Sequence, residues 1–270
     1  MRTTLLALAF LCLAYDASAQ FLRASASALV ADEAGNDFDS QETNWTSASS
    51  GSTITHQAFA GTANSLGLPV SEAETRFQAG FGSLKGSVSL ATAHSGTGTH
   101  SLHGWGTFFP FRNGVGASFN DSILLAGAGE VRLRVTYQLH SILSASTSAG
   151  TAEAALDVFA YPLSGSPIAP GPITHTGTGE RRTSATFDIV GTAGAQWNIQ
   201  ADLYTFASIN ATTIGGHSAF ADASQTGSIT IEAISGSFSS GSGHDYAPVP
   251  EPATWAVLGL GALAMRRRKA

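Results

Sequence analysis

The sequence EVRLRVTYQLHSIL, residues 130–143, is the clearest indication of fold class in the chain. Apolar and polar residues alternate along it, and the apolar set is Val131, Leu133, Val135, Tyr137 and Leu139. Because successive side chains of a β-strand point to opposite faces, this period of two places the apolar residues on one face and the polar residues on the other. The stretch therefore predicts a strand with one buried and one solvated face.

Other segments of the chain show the same alternation, each bounded by Gly, Pro or Ser. They are residues 23–31, 53–60, 84–91, 117–125, 154–161, 183–190, 195–207 and 228–234. No segment between them keeps helical apolar spacing over three turns. About nine strands without intervening helices predict an all-β fold of antiparallel sheets, closed as a β-sandwich or jelly-roll-like domain rather than an α/β fold.

The N-terminal residues 1–19 have the organisation of a secretory signal peptide. Arg2 gives a positive start, residues 5–14 are apolar, and Ala17 and Ala19 form the small-x-small pattern that precedes signal cleavage. Cleavage after Ala19 removes Cys12, which is the only cysteine. We therefore expect an exported domain that is held together by packing, without disulfides.

The C-terminal residues 249–270, VPEPATWAVLGLGALAMRRRKA, combine three signals in order. Pro250, Glu251 and Pro252 come first, and an uncharged apolar run follows at residues 253–265. A helix of this length reaches roughly 20 Å, against about 30 Å of bilayer hydrocarbon, so a short transmembrane helix is predicted. The basic residues after it, which favour a cytoplasmic end, are Arg266, Arg267, Arg268 and Lys269.

This order of motif, apolar span and basic stop resembles the PEP-CTERM sorting signal of Gram-negative bacteria. In that family an exosortase of the inner membrane recognises the tail, cleaves near the motif and releases the protein towards the cell surface or an extracellular polysaccharide matrix. The resemblance implies a recognition role for Pro250, Glu251 and Pro252, an exosortase as processing partner, and transient anchoring in the inner membrane. A plain C-terminal anchor is the alternative interpretation.

The region between the two signals is predicted to be one domain followed by a linker. Residues 20–234 hold all the predicted strands, while residues 235–248 are rich in Gly and Ser and predict a flexible linker. The whole chain has a formal net charge of −6, and basic residues cluster only in the tail. This charge argues against nucleic acid as a partner, because phosphate contacts need clustered Lys and Arg.

Two groups of residues in the domain are candidates for binding a metal ion. The first is His94, His100 and His103, whose imidazoles are suited to zinc or copper. The second offers carboxylates to calcium and comprises Asp32, Glu33, Asp37 and Asp39. The acidic spacing departs from a calcium loop and the histidines lack a nearby orienting carboxylate, so polar loop residues are the favoured interpretation of both groups. No metal site and no cofactor are predicted.

A third candidate is aromatic. Trp105, Phe108, Phe109 and Phe111 lie close together beside Gly and Pro. They fit either a surface platform for sugar rings or a strand edge that closes the core, and the core is favoured because large apolar residues are few elsewhere.

The sequence contains none of the common catalytic motifs, such as a phosphate-binding loop, a nucleophile elbow or a cysteine nucleophile. The leading hypothesis is therefore an exported surface or matrix protein, associated with exopolysaccharide or biofilm matrix and without catalytic activity. One alternative is a secreted carbohydrate-active hydrolase, which requires two suitably spaced carboxyl groups in a cleft. The other is a metal- or calcium-binding module.

Overall fold

A computed structural model describes residues 20–31, 38–42, 46–48, 53–63, 69–94, 100–105, 116–146, 150–212 and 215–247. Within these ranges the regular elements are all β-strands, and the strands pair antiparallel. They form a larger sheet, sheet A, and a smaller one, sheet B, which share a common hydrophobic core. The predicted all-β, sandwich-like fold is confirmed.

The strands are named in chain order. They are β1 (Phe21–Ala24), β2 (Ser27–Ala31), β3 (Phe38–Glu42), β4 (Thr46–Ala48), β5 (Ile54–Ala63), β6 (Pro69–Gly80), β7 (Ser83–His94), β8 (His100–Trp105), β9 (Ala117–Ala126), β10 (Glu130–Ala145), β11 (Gly150–Pro162), β12 (Ile173–Thr176), β13 (Gly179–Thr192), β14 (Gln196–Ala211), β15 (Gly215–Ser235) and β16 (Ser237–Ser240).

Sheet B has the order β13-β10-β15-β7-β6-β5, and the main path of sheet A is β3-β2-β8-β14-β9-β1-β4. Strand β14 is central to sheet A, because β11 pairs along one of its edges while β8 and β9 share the other edge end to end. Strand β12 pairs with β11 at the border of the sheet. The first and the last described strands, β1 and β16, both pair with β9.

Strand β10 contains residues 130–143, and it lies between β13 and β15. Its residues alternate as expected: Val131, Leu133 and Val135 are buried, while Arg132 and Arg134 are exposed. The two exposed arginines both bond to a carboxylate of β13 on the outer face of sheet B. The alternation therefore orients β10 with one face in the core and one in solvent.

Close packing of the core depends on two glycines. The ring of Phe77 on β6 covers Gly86 of β7 and Gly116 at the start of β9. A Cβ at either glycine would overlap this buried ring. The chain therefore needs glycine at both positions, so that the Phe77 ring can lie across its own sheet at Gly86 and pack against sheet A at Gly116.

A buried histidine joins the two sheets. His175 on β12 has its Nδ1 2.7 Å from Ser141 Oγ on β10 and its Nε2 2.9 Å from Thr183 Oγ1 on β13. Burial, and then the charges of Arg181 and His140, lower the pKa of His175. A neutral ring with one donor and one acceptor nitrogen matches two hydroxyl partners, so His175 connects sheet A to sheet B.

The predicted flexible linker, residues 235–248, differs from the structure as far as Ala247. Part of it forms β16, which pairs with β9, and Tyr246 further along is only 1% exposed. The Gly/Ser composition suggested a solvated chain, but the Tyr246 hydroxyl reaches a buried carboxylate that holds the segment in place.

The predicted signal peptide, with Ala17 and Ala19, lies outside the described residues. The same is true of Pro250, Glu251, Pro252, the span 253–265 and the basic stop 266–269. In the part of the chain that the structure describes, no helix has the length and apolar character needed to cross a membrane.

Candidate functional site

The outer face of sheet A combines aromatic rings with carboxyl, amide and hydroxyl groups. On β14 the side chains of Ala201 and Leu203 are buried in the core, so Asp202 and Tyr204 face outward. We call the central part of this face the outer patch. Its residues are Phe21 and Arg23 of β1, Ser118 and Asn120 of β9, Asp157, Phe159 and Tyr161 of β11, and Gln200, Asp202, Tyr204 and Phe206 of β14.

Two carboxyl groups lie side by side at the centre of the outer patch. Asp157 and Asp202 are directly opposite each other on β11 and β14. The Gln200 amide donates to both oxygens of Asp202, at 2.9 and 3.2 Å. Oδ1 of Asp157 is buried without a hydrogen-bond partner. The pair therefore offers carboxyl oxygens that can bond a ligand hydroxyl.

The surroundings raise the pKa of both carboxyl groups. Burial raises the pKa of Asp202 to about 6, with a smaller increase from the charge of Asp157. Hydrogen bonds from Ser118 and Gln200, and the charge of Arg23, oppose that rise. Burial also raises the pKa of Asp157. A carboxyl group of this kind changes its protonation, and hence its hydrogen-bonding role, in mildly acidic solution.

Aromatic rings flank the carboxyl pair. The rings of Tyr204 and Phe206 lie 6.3 Å apart, centre to centre, and are within 8° of parallel. Phe206 also lines a groove of about 480 Å³ at the start of β11. On the opposite side of the pair, the Arg23 guanidinium carbon lies 4.0 Å from the centre of the Phe21 ring. The rings thus offer apolar planes on both sides of a polar centre.

Hydrogen bonds fix the polar residues of the outer patch. The Tyr161 hydroxyl donates to Asn120 Oδ1 at 3.1 Å, which connects β11 with β9 across β14. Asn120 is buried, whereas the aromatic residues and both carboxyl residues are partly exposed. The arrangement presents preset hydrogen-bonding groups together with flat rings, a combination suited to binding a polar ligand that has apolar faces.

A second polar cluster contains a serine, a histidine and an aspartate. The Ser242 hydroxyl donates to Asp121 Oδ2 at 2.5 Å, and the His244 backbone N–H donates to Ser242 Oγ at 3.2 Å. In a catalytic triad the histidine ring lies between the nucleophile and the acid. Here the serine bonds the carboxylate directly and the His244 ring packs on Tyr246, so this cluster does not have triad geometry.

The structure assigns the histidine candidates to different sheets. His94 ends β7 in sheet B, whereas His100 and His103 lie on β8 in sheet A. For these three histidines the structure describes the backbone only. Among the residues whose placement the structure gives, no group of three or more His, Cys, Asp or Glu side chains is arranged to hold a metal ion.

The acidic and aromatic candidates lie mostly outside the described residues. Asp39 belongs to β3 and Trp105 ends β8, and only their backbone is described. The others, Asp32, Glu33, Asp37, Phe108, Phe109 and Phe111, fall in the ranges that the structure does not describe.

Sequence reasoning missed the outer patch. Its signal was present, because Tyr204 and Phe206 occupy the same alternating positions as Gln200 and Asp202 in the predicted strand 195–207. Aromatic residues in the polar register of a strand are not needed for the core and indicate a surface role.

Comparison with known proteins adds the sorting function. Residues 248–269 match the family model of the PEP-CTERM protein-sorting motif. The chain carries a PEP-CTERM sorting signal. This signal implies export, a membrane-anchored tail before processing, and processing by an exosortase. The PEP-CTERM match covers the tail and none of the sandwich.

No curated protein matches the sequence. A solved structure described as "Structural basis for the promiscuous specificity of the carbohydrate-binding modules from the beta-sandwich super family" aligns with 79% of this chain and 86% of that chain. The identity is 9% and the TM-score is 0.13.

Proposed function

We propose that the protein is a non-catalytic protein of the cell surface or extracellular matrix, and that its outer patch binds exopolysaccharide. The PEP-CTERM signal supports this location. One observation supports the ligand: five aromatic residues lie beside carboxyl and amide groups on the outer face of sheet A. These residues are Phe21, Phe159, Tyr161, Tyr204 and Phe206.

The chemistry of the outer patch suits a sugar chain. The apolar faces of sugar rings pack on flat aromatic rings such as Tyr204 and Phe206, while their hydroxyl groups bond to amides and carboxyl groups such as Gln200 and Asp202. From Gln200 to Phe206 the strand extends about 20 Å, which accommodates several sugar units. An extended chain of several sugar units therefore fits the outer patch better than a single compact sugar.

The test measures binding of the exosortase-released protein to the polysaccharide of its own matrix. Replacing Tyr204 and Phe206 by alanine removes two stacking surfaces, and we expect affinity to fall about tenfold. The matched control replaces Phe59 and Phe220, two aromatic residues on the outer face of sheet B, by alanine. Equal affinity in the two double variants contradicts the proposal.

Glycoside hydrolysis is a second candidate, favoured by the paired carboxyl groups and the pKa of about 6 at Asp202. Against it, Asp157 and Asp202 stand side by side on one sheet face, whereas a glycosidase places its two acids on either side of the scissile bond. Release of reducing ends by the wild type, and its loss in Asp202→Asn, would establish hydrolysis. Binding without release supports the non-catalytic role.

A further inference from the structure

The segment that leads to the sorting signal is part of the folded sandwich. Residues 237–247, which we call the C-terminal latch, begin as β16 along β9. After β16, the Gly241 backbone N–H donates to the Ser122 carbonyl at 2.7 Å, and the Ser240 hydroxyl donates to the His244 carbonyl at 2.7 Å. The latch is therefore held along its length and not only at its first residues.

A buried carboxylate anchors the latch. Asp121 on β9 is fully buried and accepts hydrogen bonds from the Ser242 backbone N–H at 2.9 Å, the Ser242 hydroxyl at 2.5 Å and the Tyr246 hydroxyl at 2.9 Å. The Tyr246 ring packs beside Phe119, with 6.3 Å between ring centres. All three donors belong to the latch, so opening the latch removes these hydrogen bonds from Asp121. Because a carboxylate that loses its donors is destabilised, the closed latch is favoured.

The latch also bridges the two sheets. Asp121 belongs to sheet A, while the Ile231 backbone N–H of β15 in sheet B donates to the Tyr246 carbonyl at 3.0 Å. The His244 ring lies against Gly82, in the turn between β6 and β7, where a Cβ would be 2.5 Å from Nε2. The end of the latch is thus enclosed by strands of both sheets and by a turn.

The latch leaves little free chain before the sorting motif. Among the residues that the structure describes, Tyr246 is the last buried one, and Pro250 follows four positions later in the sequence. Four residues span at most about 14 Å when fully extended. An enzyme that binds a peptide in extended form needs room on both sides of its recognition motif, and a folded sandwich this close occupies that room.

We propose that the latch restrains processing, so that the exosortase acts on the form in which the latch has opened. Opening releases residues 237–247 and gives the motif a free approach to the enzyme. The restraint acts on access before the peptide bond is cleaved and leaves the chemistry of cleavage unchanged. It rests on the PEP-CTERM signal and not on polysaccharide binding, so sugar binding by the released variants reports on the proposed function separately.

The test follows release of the full-length protein over time in cells that contain the exosortase. One variant carries a flexible Gly/Ser insertion of about six residues between Ala247 and Pro248, which adds free chain and leaves the latch intact. The other is Tyr246→Phe, which removes one donor to Asp121 and raises the open population roughly tenfold. The control carries the same insertion after Ser164, in the exposed connection between β11 and β12.

We expect release to be several-fold faster in both latch variants and unchanged in the control. Limited proteolysis of the released proteins checks that the Tyr246→Phe sandwich is still folded. Release of the Ala247 insertion variant at the wild-type rate overturns the proposal, because added chain then brings no advantage. Faster release in the Ser164 control also overturns it, because the effect would then not belong to the latch.

Discussion

The carboxyl group of Asp202 is suited to binding a sugar hydroxyl, but its position lowers the stability of the folded protein at neutral pH. Its pKa of about 6 in the folded protein is above the ordinary value of 3.8, so folding favours its protonated form. Its contribution to the free energy of unfolding is fully present below pH 3.8 and is lost as the pH rises through about 6. Keeping a carboxyl group at this position therefore destabilises the protein at neutral pH.

We predict that Asp202→Asn raises the free energy of unfolding at pH 7 by about 1–2 kcal/mol, after allowance for partial exposure of the side chain. The gain disappears towards pH 4, where the native carboxyl group is also neutral. Urea unfolding at both pH values measures the difference.

Asp188 provides a control of opposite sign. Hydrogen bonds from Arg132 and Arg134 lower its pKa, so its contribution is present above pH 3.8 and is lost as the pH falls. Asp188→Asn should therefore destabilise the protein at neutral pH. A gain at pH 7 in both variants would indicate that the effect comes from net charge and not from the environment of Asp202.

At the scale of the element, β12 is held to sheet B through His175. Replacing His175 by alanine removes the ring from between Ser141 and Thr183 and leaves both hydroxyls without this partner. We predict a loss of about 2–4 kcal/mol in the free energy of unfolding. His140→Ala, which removes an exposed contact with Glu180, should cost less than about 1 kcal/mol.

The pH dependence of this contribution follows from the lowered pKa of His175. The neutral ring is favoured in the folded protein, so the stabilisation is present above the ordinary pKa of 6.5 and is lost as the pH falls below it. Wild type and His175→Ala should therefore differ less at pH 5 than at pH 8. A constant difference across that range would contradict the assignment of a neutral buried ring.

The elements differ in how far the sequence predicts them. Strand β10 was predictable because its core side is apolar from Val131 to Leu139. Strand β6 was not, because Ser71 and Thr75 face the core beside alanines, and Ser71 is satisfied by Thr92 at 2.7 Å on the neighbouring strand. The predicted strand 23–31 is divided at Ser25 and Ala26 into β1 and β2.

The candidate site was predictable only in part. Alternation alone places Asp202 and Tyr204 on the outer face of one strand. That Asp157 stands opposite Asp202 depends on the register between β11 and β14, which local sequence does not determine. The latch was missed for a related reason. The hydrogen bond from the Tyr246 hydroxyl to Asp121, which is far away in the sequence, holds a segment whose Gly/Ser-rich composition predicts a flexible chain.

At the scale of the whole molecule, the PEP-CTERM signal predicts the fate of the protein. Replacing Pro250, Glu251 and Pro252 by alanine should leave export intact, because the N-terminal signal peptide directs export. Membrane insertion of the tail should also persist, because the apolar run and the basic end determine it. Release should stop, and the protein should accumulate in the membrane with its tail, larger than the released form by about twenty residues. Cell fractionation followed by mass analysis measures both effects. Tail retention that is equal in wild type and variant would instead indicate a plain anchor.

Strand β9, which pairs with both β1 and β16, limits how early the domain can finish folding during export. Both strands pair with β9, so the beginning and the end of the sandwich are completed at the same place. A chain that crosses the membrane from its N-terminus delivers β1 early and β16 last. Because contacts between distant segments form slowly, the final packing must wait until translocation is almost over. The tail that halts the chain in the bilayer therefore also holds the newly delivered strands at the membrane surface during the interval in which they find their partners.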